Sequence, residues 1–512
     1  MENKNLPIEY QQVQPAEAHF AGLAGQEEPE LFNILLNRIY ANLLKFAENV
    51  IGIRLYARIE EPLLAGLSSR VKRLASIFIE KKLIKKIAKT LRFYPDEPWL
   101  TQYLAETPST PSDLAAYSDG MGSIANLSGG IDFNEEGAFI KTVGEALERL
   151  CLCVYRERNF TLSPYDKVSK TVLNPLSFAG ISPSLRKANP RLKIDEKSVF
   201  RWVRGFSLFD SRKIFIPAQL VYVGYKYAEG EPIIQEQIST GAAAADSFAG
   251  ALYGGICEAV ERDAFMINYL NKLSPPLIDL GTVKNEKFQK LLAMFRRYNL
   301  ELYVVNITTD ISIPSMAAII IDRTGAGPFV HVGAKTDLEI EKAVIGAVCE
   351  ALRGRLGFRH KFPLSDDLKK KQEFIKTNPS RIMTFEDRFL FWDSLDMIKE
   401  IEFLFQGQEK KLNAEDLQRY KDFSGKEKLK KSLEILKKAK IDIYGVDITM
   451  PQIKEEGIYV AKVVSPQFQP LYLQEWLKHS WGERLFNVPV KLGYRDKPLS
   501  ENELNSFPHP FL

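Results

Sequence analysis

Glutamates spaced three apart and followed at once by arginine are the residues of this chain best placed to do chemistry. Gly144-Glu-Ala-Leu-Glu-Arg149 and Cys257-Glu-Ala-Val-Glu-Arg262 are near copies, and Cys349-Glu-Ala-Leu-Arg-Gly-Arg355 is a looser third version. On an α-helix, positions i, i+3 and i+4 share a face. Glu145, Glu148 and Arg149 therefore project together, as do Glu258, Glu261 and Arg262. Apolar neighbours predict that both helices are largely buried. A buried carboxylate is costly unless it is paired or bound to a cation. Two such glutamate pairs plus Glu350 make a pocket of hard oxygen ligands, suited to Mg2+ holding nucleotide phosphates.

Two other chemistries fit less well. A solvated helix face would pair its own Glu and Arg at i, i+4, but three copies inside apolar helices argue for one shared pocket. A carboxylate-bridged di-iron site asks for Glu-x-x-His on two helices, and neither repeat has a histidine at that spacing. The five histidines show no zinc-ligand spacing. Four cysteines among 512 residues exclude a disulfide scaffold and fit a reducing compartment. Cys151, Cys153, Cys257 and Cys349 read as small core residues.

The elements that position the glutamates follow from patterning. The chain is long enough for two or three domains, and 45% hydrophobic residues support a sizeable core. A net charge of +4 with interspersed signs argues against nucleic acid. Leu31 to Tyr56 is broken by charges, so it reads as an amphipathic helix rather than a membrane span. With no signal peptide legible, the expected location is the cytoplasm. Residues 1–112 are expected to form an N-terminal helical region, helical to about Leu91, with Lys81 to Lys89 as a solvated helix face. Residues 113–512 should form the catalytic body. Within it, strands are expected over Phe200 to Tyr227, Leu302 to Thr308, Ser315 to Asp322, Asp442 to Thr449 and Gly457 to Val464. Gly120 to Gly130 and Ser239 to Asp246 read as small-residue turns before the first two motif helices, and the third helix should start near Leu338. Residues 364–440 read as charged and mostly helical. The expected fold class is α+β, mixed sheets whose three related helices share one core and line an ATP pocket.

These repeats, their order and the tail Phe507-Pro-His-Pro-Phe-Leu512 resemble the YcaO family from about Ala116 to Leu512. Ser128-Gly-Gly-Ile-Asp132 with Gly144 to Arg149 is similar to its first motif, and Thr240-Gly-Ala-Ala-Ala-Ala245 with Glu258 to Asp263 to its second. Glu350-Ala-Leu-Arg-Gly-Arg355 is similar to its third. The resemblance implies ATP- and Mg2+-dependent phosphorylation of a peptide-bond oxygen and attack by a neighbouring Cys, Ser or Thr. The product is a thiazoline or oxazoline in a ribosomal precursor peptide. Backbone thioamidation with a sulfur-delivering partner, or a non-catalytic docking scaffold, are the alternatives. Four positions depart from the family pattern: Gly250 for a Glu, Gly346 for an Arg, Ile131 for a Lys, and Asp246 for an Asn or similar residue. They imply a rearranged or a degenerate pocket.

The resemblance assigns Glu145, Glu148, Glu258 and Glu261 to the metal, and Ser128, Asp246, Arg149, Arg262, Glu350 and Arg355 to ATP. Ring-forming members end in P-x-P-x-P, so Pro508, Pro510 and the carboxylate of Leu512 are expected to dock and assist proton transfer. Loss of this tail is expected to leave the glutamate pocket untouched. Nothing in residues 1–112 resembles a peptide-binding winged helix, so a separate partner protein is expected to capture the leader peptide. Those helices could equally form a homodimer face.

Overall fold

Each motif helix lies on a sheet of its own. The computed structural model describes residues 66–90, 97–120, 127–168 and 171–511. All of these belong to one compact unit, Leu63–Leu512. The Leu31 to Tyr56 segment, part of the first glycine turn (121–126) and Leu512 lie outside the described residues.

The first sheet has the order β1-β2-β3, from Lys86–Lys89, Thr101–Glu106 and Leu127–Asp132. Helix α1 (Ser69–Glu80) precedes it, and α2 (Glu135–Cys153), the first motif helix, packs on β3 and β2. A second sheet runs β4-β5-β13-β14-β7, from Thr161–Pro164, Val199–Ser207, Tyr444–Asp447, Tyr459–Val464 and Ala242–Ala245, with β6 (Lys213–Pro217) also on β5. The second motif helix, α3 (Phe248–Leu270), packs on its β7 and β14. The third sheet runs β11-β10-β9-β8-β12, from Val330–Thr336, Ser315–Asp322, Leu300–Asn306, Leu277–Ile278 and Glu409–Lys410. Helix α4 (Glu286–Arg297) packs on β9, and α5 (Ile340–Arg359), the third motif helix, on β11 and β10. Beyond it come α6 (Asp366–Thr377), α7 (Phe385–Trp392) and α8 (Gly425–Lys438).

Strand β10 divides the core. All eight of its residues are buried, and side chains alternate between faces along a strand. Ala317, Ile319 and Ile321 face a cluster built with α3, whereas Met316, Ala318 and Ile320 face one built with α4 and α5. Close helix–sheet approach depends on glycine. A Cβ on Gly333 would lie 2.1 Å from the Ala351 nitrogen of α5, and one on Gly130 would lie 2.5 Å from the Ala138 carbonyl oxygen of α2. Side-chain caps start two motif helices: Asn134 accepts from the Gly137 N–H at 2.7 Å, and Ser247 from the Gly250 N–H at 3.2 Å.

Three expectations are corrected. Lys81 to Lys89 is not a helix face: α1 stops at Glu80, Lys82 takes φ +55°, and Lys86–Lys89 pairs antiparallel with β2. Leu83 and Ile84 bury fully in the turn between, so tertiary pairing overrides a helix-like pattern. The stretch 1–112 is thus not wholly helical; two strands of the first sheet come from it. Ala242–Ala245 is a strand rather than a turn, held by β14. Strand structure after Val199 ends at Pro217, and 218–241 carries only a short 3-10 turn. The Lys-rich stretch is indeed α8, although Lys428 is buried and paired with Glu339.

Candidate active site

Glu145 is held from three sides. The Gly129 N–H donates to its Oε2 at 3.0 Å, Arg149 to its Oε1 at 2.8 Å, and Arg353 to its Oε2 at 2.9 Å. Burial pushes its carboxyl upward in pKa, but Arg353, then Arg149, and the Gly129 N–H outweigh this and hold it below the ordinary value. Glu258 repeats the arrangement. It accepts from the Gly241 N–H at 2.8 Å and from Arg262, four residues on, at 3.3 Å. In both motifs a glycine within or just before the preceding strand donates its N–H to a glutamate on the following helix, so the sequence repeat is a structural repeat.

Glu261 accepts from the Thr336 N–H at 3.0 Å and pairs with Arg262 at 2.9 Å. Its side chain is 5% exposed, and burial, with Glu258 and Glu350 nearby, pushes it up to about 7 against the pull of Arg262 and Lys335. Among the described residues Glu148 has no hydrogen bond or ion pair. Burial and the charges of Glu258 and Glu145 push its pKa well up. Lys462, from β14, faces both Glu148 and Glu258, and burial lowers it to about 8. Its ammonium donates to the carbonyls of Ile238 and Thr240 at 2.9 and 2.6 Å.

The third motif divides differently from expectation. Arg353 is the arginine in the pocket, bonded to Glu145, to the Gly129 carbonyl at 2.6 Å, and paired with Glu350 at 3.0 Å. Arg355 is not there. It is fully buried between Glu97 at 2.7 Å and Asp322 at 3.1 Å, an ion cluster inside the core. The helix period explains this: Arg353 follows Glu350 by three residues, whereas five residues turn Arg355 about 140° away. Asp246 is exposed just before the Ser247 cap, whereas Ser128 is buried beside Gly129 with no hydrogen-bond partner for its hydroxyl among the described residues. The cysteines sit in the core as expected; all four are buried and free, and burial raises Cys151 and Cys349 to about 12.

The tail is docked. Pro508, Pro510 and Phe511 are buried. The Pro508 carbonyl accepts from Tyr269 Oη and Trp392 Nε1, both at 2.9 Å, and the His509 carbonyl accepts from Arg388 at 2.8 Å. Phe511 bridges in parallel to Val332 on the outer edge of β11. Its ring lies 4.2 Å from the Arg262 guanidinium, within cation–π range. The tail therefore touches the glutamate pocket, contrary to the expectation of independence.

A divalent cation with polyphosphate fits these residues. Glu148 is a carboxylate without a hydrogen bond or ion pair among the described residues, beside Glu258 and Glu145, and Arg262 Nε and Ser128 Oγ are buried without hydrogen-bond partners. Among the described residues no three acidic, His or Cys side chains converge on one metal position. Mg2+ takes one or two carboxylates and completes its shell with phosphate and water. Only ionised carboxylates ligate. Mg2+ binding with ATP should therefore release protons and strengthen as pH rises through about 7, the Glu261 value. Calorimetry in buffers of different ionisation enthalpy measures this, and an affinity flat across about pH 6 to 8 would remove Glu261 from the ligand set.

The YcaO cyclodehydratase family, described as ATP- and Mg2+-binding, matches residues 129–469. This chain belongs to that family, and ATP and Mg2+ are its cofactors. An uncharacterized protein of Methanothermobacter thermautotrophicus is 26% identical over 162 residues, 31% of this chain and 42% of that protein. An uncharacterized protein from the tfuA 3' region of Rhizobium leguminosarum bv. trifolii is 29% identical over 165 residues, 30% of this chain and 39% of that one. Either match thus spans about two fifths of the relative's length. A heterocyclase in complex with substrate and cofactor shares the fold with a TM-score of 0.68 at 20% identity, covering 87% of this chain and 57% of that one. The YcaO protein of Methanopyrus kandleri, bound with AMPPCP and Mg2+, gives 0.55 at 14%, covering 81% and 94%. The α+β class is that of these structures. No helix among the described residues is long and apolar enough to cross a membrane.

Proposed function

We propose that this chain uses ATP and Mg2+ to activate backbone amides of a ribosomal precursor peptide and closes Cys, Ser or Thr side chains onto them. The products are thiazolines or oxazolines. The observation that carries this reading is the contact of Phe511 with Arg262, which brings a docked C-terminal segment to the wall of a glutamate pocket suited to Mg2+ and phosphate. Thioamidation on the same scaffold gives no reason for that contact.

Bound ATP supplies a phosphoryl group that leaves with the amide oxygen, so each ring formed removes one water from the peptide. The chain's own residues position and neutralise. Glu148, Glu258 and Glu261 are the proposed metal ligands, with Glu145 joining them if its arginines give way. Arg262 and Arg149 face the phosphates, and Ser128 and Glu350 complete the wall. Asp246 is a peripheral contact, and Arg355 keeps only a structural part. Pro508 and Pro510 hold the docked segment against the pocket wall. The leader peptide is captured by a separate partner protein, or residues 1–112 form a homodimer face. The buried free cysteines support work in the reducing cytoplasm.

Incubation with ATP, Mg2+, the partner and a precursor rich in Cys, Ser and Thr should give products lighter by one water per ring, read by mass spectrometry. Products heavier by the exchange of oxygen for sulfur would replace this reading with thioamidation. Unchanged peptide despite bound nucleotide would favour a docking scaffold.

A further inference from the structure

Most cations of the pocket are already committed. Arg149 is paired with Glu145, Arg353 with Glu145 and Glu350, and Arg262 with Glu258 and Glu261. Lys462 gives its ammonium to two carbonyls. Lys335 differs: among the described residues it forms no hydrogen bond and no ion pair. It is exposed near the end of β11, one residue before Thr336, whose N–H is bonded to Glu261.

The stem of Lys335 lies in a notch. A Cβ built on Gly346 would lie 2.6 Å from Lys335 Cγ, 3.0 Å from its Cβ and 3.3 Å from its Cδ. Gly346 thus leaves room for the aliphatic chain of Lys335 to lie across α5, one turn before Glu350 on the same face. Burial of its stem disfavours its charge, but Glu261 and Glu350, and after them Glu258, outweigh this and keep its pKa above the ordinary lysine value. Its ammonium therefore stays positive within the field of three pocket glutamates.

From this juxtaposition we infer that Lys335, laid through the Gly346 notch, is the pocket cation that holds the polyphosphate of the bound nucleotide. The inference rests on the nucleotide reading above and adds to it a residue outside the repeated motifs. A free ammonium can take a phosphate oxygen without first breaking an internal ion pair, which Arg149 and Arg353 must do. A hydrogen bond from an ammonium to a phosphate oxygen is charge-assisted on both sides and is stronger than a neutral one.

Two explanations of Lys335 predict opposite signs. If it serves the phosphates, Lys335→Met, which keeps the stem, should weaken ATP·Mg2+ binding about 10-fold or more. AMP, which lacks the outer phosphates, should bind nearly as before. Mg2+ alone should bind as well or better, because a like charge has gone. If Lys335 instead only orders the glutamates, Mg2+ alone would bind more weakly in the variant. Lys335→Arg should restore most of the ATP affinity. Lys335→Ala combined with Gly346→Arg should restore part of it, since truncating the lysine vacates the space a side chain at 346 needs. Titration calorimetry on the full chain reads every arm. Weaker Mg2+ binding, unchanged ATP affinity, or equal losses for ATP and AMP in Lys335→Met would each overturn the inference. Failure of the wild-type chain to bind ATP·Mg2+ would instead sink the nucleotide reading itself.

Discussion

Glu261→Gln should stop ATP consumption while making the ligand-free protein more stable. Glu261 carries a raised pKa, from 4.5 to about 7, set first by burial and then by Glu258 and Glu350 against Arg262 and Lys335. The folded state holds this proton more tightly than the unfolded chain. The stability it contributes is therefore fully present below about pH 4.5 and lost as pH rises through about 7. That loss is on the order of 3 kcal/mol for a shift of this size. Glutamine carries no charge to lose and can still accept from the Thr336 N–H. At neutral pH the variant should melt several degrees higher without nucleotide, and the slope of Tm against pH from about 5 to 8 should flatten. ATP consumption should fall by at least about 100-fold if this carboxylate holds the metal. Glu148→Gln should act in the same direction. Glu145→Gln should not: its carboxyl is held below the ordinary value by Arg353 and Arg149 despite burial. Removing it leaves Arg353 short of a counter-charge and should lower stability by about 2 kcal/mol, reduced from the fully buried case by partial exposure. Identical stability changes in all three variants, read by thermal melts in EDTA, would refute this division of the glutamates.

Removing Pro508 to Leu512 should damage both the fold and the nucleotide site. Tyr269 Oη, Trp392 Nε1 and Arg388, all on buried side chains, would lose the carbonyls of Pro508 and His509. Trp392 Nε1 has no other acceptor among the described residues, and its loss costs about 1–3 kcal/mol. Tyr269 Oη keeps the Phe507 carbonyl at 3.3 Å and Arg388 keeps Leu473 and Glu475, so their losses are smaller. Phe511→Ala is the sharper test. It keeps those carbonyls, costs about 3 kcal/mol through the cavity it leaves, and frees Arg262 from the ring. The Michaelis constant for ATP should then rise several-fold alongside a loss of ring formation. Loss of ring formation with an unchanged constant for ATP would place the action of the tail on the peptide alone.

The glutamate helices were legible in the sequence because a 3.6-residue period turns spacing directly into a shared face, and two copies raised the signal above chance. The same period puts Arg353, three residues from Glu350, on the pocket face, whereas the letter pattern of the family motif falls on Arg355, a core residue. Lys335 and Lys462 were not legible. Lys462 comes from a strand remote from the motifs in sequence, and Lys335 from the strand that leads into the third motif helix; neither belongs to a motif, and only the packing of strand against helix brings them to the pocket. Ala242–Ala245 carries no strand signal of its own because alanine has little strand preference; its partner β14 supplies the hydrogen bonds. The Gly-to-Glu caps were equally hidden, since a backbone N–H carries no sequence letter.

The seat of Phe511 on β11 has a consequence for solubility. Strand β11 ends its sheet, and an uncovered sheet edge is a template onto which another chain can add a strand. The tail covers that edge at Val332 and is secured by Arg262, which also holds two pocket glutamates. Whatever loosens Arg262 thus also loosens the cover. A molecule whose pocket is disturbed would offer its neighbours a sticky margin, so self-association and an emptied or damaged site should rise together.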